Sequence, residues 1–245
     1  MEDQFIRTQM LLGAPAMARL RTAHVAVFGL GGVGSWCAEA LCRSGVGQLT
    51  LVDQDTVSVS NLNRQAAALH STVGLEKARA AVLRLQDIAP DCALHPMAAR
   101  YEAETRERFF SAQYDYIVDA IDLVSCKLDL IETAHTRGIP IISALGTGNK
   151  RDAQRLRIAD IAQTEGCPLA RVVRKELRKR GIVHHQVVFS PEPARSAEAG
   201  DETPPPGRRS IPASAMWVPA AAGLLLAQAV ILALADGAQS APTPF

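Results

Sequence analysis

The chain has 245 residues, 48% of them hydrophobic, and a formal net charge of +1 at neutral pH. That length holds one large α/β domain or two small ones, and the apolar fraction excludes disorder over most of the chain. So small a net charge excludes a global field that draws the molecule onto nucleic acid; such binding has to come from a local basic patch.

Residues 1–24 lack the charged-then-apolar pattern of a secretion signal and read as an arm ahead of the first strand. A strand over 25–28 then runs into Gly29-Leu-Gly-Gly-Val-Gly34, followed by a helix over 35–43. Glycines at such a turn let the backbone bend tightly and approach a phosphate, with the helix N-terminus as the anion cradle, so Gly29, Gly31, Gly32 and Gly34 are candidate nucleotide contacts. The next strand, 49–53, ends on Asp53, where an acidic residue accepts hydrogen bonds from a ribose. No G-x-x-x-x-G-K-[ST] loop is present.

Up to this point the pattern also suits a nicotinamide-dependent oxidoreductase. Ser60-Asn-Leu-Asn-Arg-Gln65 and Lys77, on a helical pattern over 75–88, turn the reading toward chemistry on phosphates. A triphosphate attacked at its α-phosphorus accumulates charge that fixed cations neutralise. Arg64 offers a planar fork and Lys77 a point charge, with Asn61 and Gln65 beside the glycine turn. Taken singly, Arg64 also reads as the close of a surface turn and Lys77 as a solvated helix position.

Strands over 92–98, 116–121 and 140–144 alternate with helical patterns over 103–111 and 127–137, which is the signature of a parallel, doubly wound sheet. Asp119 and Asp122 flank the end of strand 116–121, where open α/β sheets place their ligands. A carboxylate there suits magnesium beside a triphosphate, with Asp122 the better placed and Asp119 an alternative loop cap. Strands over 155–158 and 186–189 follow, separated by a helix-like basic stretch over 169–180. There Arg171, Arg174, Lys175 and Arg178 form a local positive face, suited to nucleic-acid phosphates or simply to solvent. His184 and His185, at the start of the second of these strands, read as surface residues.

Residues 190–209 are rich in Pro, Glu, Ser and Gly and read as a mobile crossover loop, with Arg208 and Arg209 as a further substrate clamp. From 210 to 235 no residue is charged. Pro219, Gly223, Gln228 and many alanines favour a buried core or dimer helix over a membrane span, although the length allows the latter. The five cysteines, 37, 42, 92, 126 and 167, form no CxxC pair, so neither a disulfide framework nor a cysteine zinc site is expected, which fits the cytoplasm. Cys37 and Cys42 read as core.

Gly-Leu-Gly-Gly-Val-Gly, Leu-Val-Asp-Gln-Asp-Thr-Val, Ser-Asn-Leu-Asn-Arg-Gln and Val-Gly-Leu-Glu-Lys77 together resemble the adenylating ThiF/MoeB family, relatives of the ubiquitin-activating enzymes. The resemblance implies one Rossmann-like α/β domain over 1–245, with a nucleotide-binding core over 25–150. A substrate and dimer part with a loop over 190–210 and a long apolar helix completes it. It implies a homodimer that uses ATP and Mg2+ to adenylate a carboxylate. Gly32 would lie near the phosphates, Asp53 on the ribose, and Asn61, Arg64 and Lys77 on the triphosphate. Asp122 would be the magnesium-linked carboxylate, and Arg7 would reach across the dimer.

Asp119-Ala-Ile-Asp-Leu-Val-Ser-Cys-Lys127, Leu156-Arg-Ile-Ala-Asp-Ile-Ala-Gln-Thr164, Cys167-Pro-Leu-Ala170 and Val187-Val-Phe-Ser190 resemble the tRNA-modifying branch of that family. That branch activates the threonyl carboxylate of a carbamoylated adenosine in tRNA and closes a cyclic oxazolone with loss of AMP. The alternative is a branch that adenylates a ubiquitin-like sulfur carrier protein. Against it, the zinc CxxC pairs are missing and no cysteine lies between 181 and 245. Ring closure within one substrate needs no enzyme nucleophile. A monovalent cation (K+ or Na+) at the site and sulfur-relay partners of a cysteine desulfurase system are left open.

Overall fold

From residue 24 to residue 144 strands alternate with helices or helical turns, and these strands pair in parallel. The computed structural model describes residues 3–196 and 212–237. Its helices are α1 (Ile6–Leu12), α2 (Ala14–Thr22), α3 (Gly34–Arg43), α4 (Lys77–Ile88), α5 (Val124–Thr136), α6 (Pro168–Lys179) and α7 (Trp217–Asp236). Its strands are β1 (His24–Phe28), β2 (Gln48–Val52), β3 (Ala93–Met97), β4 (Tyr116–Asp119), β5 (Ile141–Ala144), β6 (Arg157–Asp160) and β7 (Gln186–Phe189). They form one sheet in the order β3-β2-β1-β4-β5-β7-β6. All neighbours are parallel except β6, which runs antiparallel to β7 at the edge.

Both faces are covered, so the central strands are apolar throughout rather than alternating. Val25, Val27, Leu49 and Leu51 face α2, α3, α4 and α7. Ala26, Phe28, Ile117 and Val187 face α5, α6 and the segment around Phe109. The chain moves from β1 outward to β3, then returns to lay β4 on the other side of β1. The crevice between the ends of β1 and β4 is therefore the topological switch point, where open sheets bind ligands.

The last helix has the length and apolarity of a membrane span, yet half of it is buried within the fold. Gly223 explains how: a Cβ there would lie 2.3 Å from the carbonyl oxygen of Val33, so only glycine lets α7 approach α3 so closely. Leu224 and Leu232 remain exposed on its outer face.

Several local expectations are corrected. The arm folds as two helices, α1 and α2. The segment expected as a helix over 103–111 is a run of 3-10 turns, Ala103–Phe110, because Phe109 is its single buried residue and one anchor makes no α-helical stripe. Helix α5 starts three residues earlier than expected, and β6 sits two residues later, in register with β7 from Arg157 opposite Phe189. His184 is exposed as expected, but His185 is buried beside Ser143 and His135. The crossover loop over 190–210 lies largely outside the described residues, Arg208 and Arg209 wholly so.

Candidate active site

The site begins where β1 ends. Gly29 takes φ +90°, and a Cβ on it would strike the carbonyl oxygen of Ala120 at 2.6 Å. At Gly34 a Cβ would fall 1.8 Å from the carbonyl oxygen of Gly29. These two glycines are required by the turn itself. Gly31 differs: nothing lies within 4 Å of a Cβ there, so the turn faces open space at that point. Gly32 packs against Pro219 of α7 and the stem of Arg64.

Asp53, at the end of β2, holds the turn from the side. Its Oδ2 accepts the Leu30 N–H at 2.6 Å and its Oδ1 accepts the Asp55 N–H at 2.9 Å. Burial pushes this carboxyl above the ordinary carboxylate value, and the neighbouring Lys77 ammonium pulls it back. Lys77 is buried, not solvated: its Nζ donates to Asp55 Oδ2 at 2.8 Å and lies 4.0 Å from Asp53 Oδ1. A bridge between Thr56 and Glu76 and the bond from Lys77 N–H to the Asp55 carbonyl at 2.9 Å pin the start of α4 there. Asp55, which the sequence reading left unassigned, is thus the partner that holds Lys77; the second carboxylate of Leu-Val-Asp-Gln-Asp is the available signal.

Arg64 sits on the turn between β2 and α4. Its Nη1 donates to the Ser60 carbonyl and to Asn63 Oδ1, both at 2.8 Å, leaving the remaining N–H groups of the fork for an anion. The Trp36 indole N–H donates to the Arg64 carbonyl at 2.9 Å and fixes this turn on α3. Asn61 is buried, with its Oδ1 accepting the Ser58 N–H at 3.2 Å. Gln65 is buried one residue beyond Arg64.

Asp119 and Asp122 separate sharply. Asp122 is exposed on the loop after β4, whereas Asp119 is fully buried and paired with Lys127. The other wall is a strap ahead of α7. Asn63 donates to the Ser214 carbonyl at 3.0 Å, Asn149 exchanges two 2.7 Å bonds with Ala213, and the Trp217 indole donates to the Arg151 carbonyl at 2.8 Å. The loops after β2 and β5 are thus joined across the crevice.

Arg7 is exposed on α1. On α6, Val173 and Leu177 are buried against the fold while Arg171, Lys175 and Arg178 are exposed. Arg174 is tied down, donating to the carbonyl and hydroxyl of Thr164 at 2.6 Å. All five cysteines are buried.

A glycine cradle, a buried cation between two carboxylates and an arginine fork thus converge on one crevice, an arrangement suited to an anion rich in oxygens. The family model described as ThiF family matches residues 5–242. The chain is 41% identical over 242 residues to a tRNA threonylcarbamoyladenosine dehydratase of Bacillus subtilis, covering 96% of this chain and 95% of that protein. It is 39% identical over 178 residues to the enzyme of the same name from Haemophilus influenzae, covering 73% and 68%. Among solved structures it resembles the Escherichia coli tRNA N6-threonylcarbamoyladenosine dehydratase TcdA in complex with ATP, with a TM-score of 0.86, 32% identity, and coverage of 97% of this chain and 96% of that one. The chain belongs to the ThiF family.

Proposed function

We propose that this protein is an ATP-dependent dehydratase of threonylcarbamoyladenosine in tRNA, acting through an acyl-adenylate. The observation that carries the reading is the open glycine cradle at Gly31 beside the buried Lys77 cation, at the switch point of the sheet. A triphosphate laid over the cradle meets backbone N–H groups and the N-terminus of α3, while Arg64 and Lys77 take up the charge that develops as pyrophosphate departs. Asp53 accepts from the ribose, and Asn61 and Gln65 complete that wall. Among the described residues no acidic, histidine or cysteine cluster forms a metal site of its own. The exposed carboxylate of Asp122, on the loop after β4 at the switch point, suits a magnesium ion held chiefly by the phosphates, which when bound would neutralise phosphate charge.

A threonyl carboxylate oxygen forms the new bond to the α-phosphorus and the bond to pyrophosphate breaks. The carbamoyl oxygen of the same modified adenosine then attacks the activated carbonyl carbon, the carbon–oxygen bond to AMP breaks, and a carbamoyl N–H proton is released to solvent. No enzyme thiol is required, which agrees with five buried cysteines. The tRNA assignment draws on what the relatives are named for, and α6 supports it: Arg171, Lys175 and Arg178 fall at i, i+4 and i+7 on one exposed face. We further assign a homodimer in which Arg7 serves the partner's site, burying Met10 and Leu11, exposed at 81% and 82% on the same helix. The half-buried α7 supports a cytoplasmic protein.

The test is release of AMP and pyrophosphate from ATP in the presence of tRNA with or without the modified adenosine. Release that depends on the modification is expected. Release driven instead by a carrier protein ending in Gly-Gly would transfer the function to the sulfur-carrier branch.

A further inference from the structure

Behind the exposed Asp122 lies a fully buried ion pair that the chemistry above does not use. Asp119 at the end of β4 and Lys127 in the first turns of α5 are both 0% exposed. Lys127 Nζ donates to Asp119 Oδ2 at 2.6 Å and to the Ala144 carbonyl at the end of β5 at 3.0 Å. The second oxygen of Asp119 accepts the Ile121 N–H at 3.0 Å, one residue before Asp122. Ala120, between them, donates to the Phe28 carbonyl at 2.8 Å and presents its own carbonyl where any side chain on Gly29 would fall. One ammonium thus ties together the ends of β4 and β5, and its carboxylate partner shapes the turn that carries Asp122.

A buried pair of this kind contributes little to stability compared with apolar residues of the same shape, because desolvation offsets the attraction. Its distinguishing property is fixed geometry. The polar layer continues sideways, since Ser143 is the register partner of Asp119 and lies 2.8 Å from His185 Nε2. Burial lowers the pKa of that imidazole, and among the described residues the carboxylate paired with Lys127 is Asp119.

We propose that Lys127 and Asp119 are positioning residues for the reaction: their ion pair sets the loop after β4 so that Asp122 meets the metal on the nucleotide phosphates. The proposal rests on the assignment of Asp122 to magnesium made above.

The test is calorimetric titration of ATP into the full chain, with and without magnesium, for the wild type, Asp122→Asn, and the double variant Asp119→Asn/Lys127→Met. The double variant removes both buried charges while retaining an acceptor for the Ile121 N–H. The expected result is that magnesium tightens ATP binding at least tenfold less in both variants than in the wild type, with the double variant's metal-free ATP affinity changed less than twofold. If Asp122→Asn loses the magnesium effect and the double variant keeps it, the positioning role is overturned and the metal assignment stands. If Asp122→Asn itself keeps the effect, both fall. Should circular dichroism find the double variant unfolded, Asp119→Asn/Lys127→Gln carries the same comparison, since it also removes both buried charges and its glutamine amide keeps a donor for the Ala144 carbonyl. A melting temperature lowered with an intact magnesium effect would mark the pair as merely structural.

Discussion

Lys77 Nζ stands 2.8 Å from Asp55 and 4.0 Å from Asp53, a buried ammonium between two carboxylates at the mouth of the crevice. A cation so held is oriented before any substrate arrives and spends little on reorganisation when charge develops. Lys77→Ala is expected to lower kcat by about 10²–10³-fold with the far-ultraviolet spectrum unchanged. Lys77→Arg should not restore it, because a planar fork does not replace a point charge. Single-turnover AMP formation measures both.

The glycines of the turn separate structural from functional need. Gly34→Ala puts a methyl 1.8 Å from the Gly29 carbonyl oxygen and should displace the turn and lower the melting temperature. Gly31→Ala meets nothing within 4 Å and should leave thermal stability unchanged, while its methyl would intrude on the space proposed above for phosphate. ATP affinity is expected to fall at least tenfold in the second variant. Equal stability and equal affinity there would remove the cradle from the account.

On α6, Lys175→Glu with Arg178→Glu should weaken tRNA binding and flatten the slope of log affinity against log salt by about 2, without altering ATP affinity. Filter binding over a range of salt concentrations is the measurement. An unchanged slope would leave this face to solvent.

Burial lowers the His185 imidazole from 6.5 to about 3. The unfolded chain therefore binds a proton that the folded chain refuses. His185 stability is full above pH 6.5 and is lost as pH falls from there toward 3, at about 1.4 kcal/mol per pH unit. Urea unfolding at pH 7 and pH 5 should reveal this slope in the wild type and a weaker one in His185→Gln, which keeps a partner for Ser143. Identical slopes would contradict the burial.

Much of this was legible in the residues. The glycine turn, Asp53 and the alternating elements carry signals with a local physical cause, so β1, β2, β4 and α3 and the switch-point crevice were all expected. Lys77 and Arg64 were legible as residue types, but their settings were not: burial of Lys77 against Asp55 depends on a bridge between Thr56 and Glu76 that no spacing rule announces. The Asp119–Lys127 pair joins strand and helix across eight residues and gained its meaning only when β5 arrived beside them. His185 reads as a surface residue beside His184, yet just ahead of β7 it is buried against Ser143 and His135, partners on β5 and α5 that its sequence neighbours do not reveal. The turns at Ala103–Phe110 betray the same limit, since their conformation is decided by where Phe109 packs against Phe28 and Tyr101.

The acyl-adenylate is tested most directly by isotope transfer. With tRNA whose threonyl carboxylate carries ¹⁸O, ATP and magnesium, mass spectrometry should find one labelled oxygen in the AMP and a nucleoside lighter by one water. Unlabelled AMP beside an unchanged nucleoside would contradict carboxylate activation by this protein.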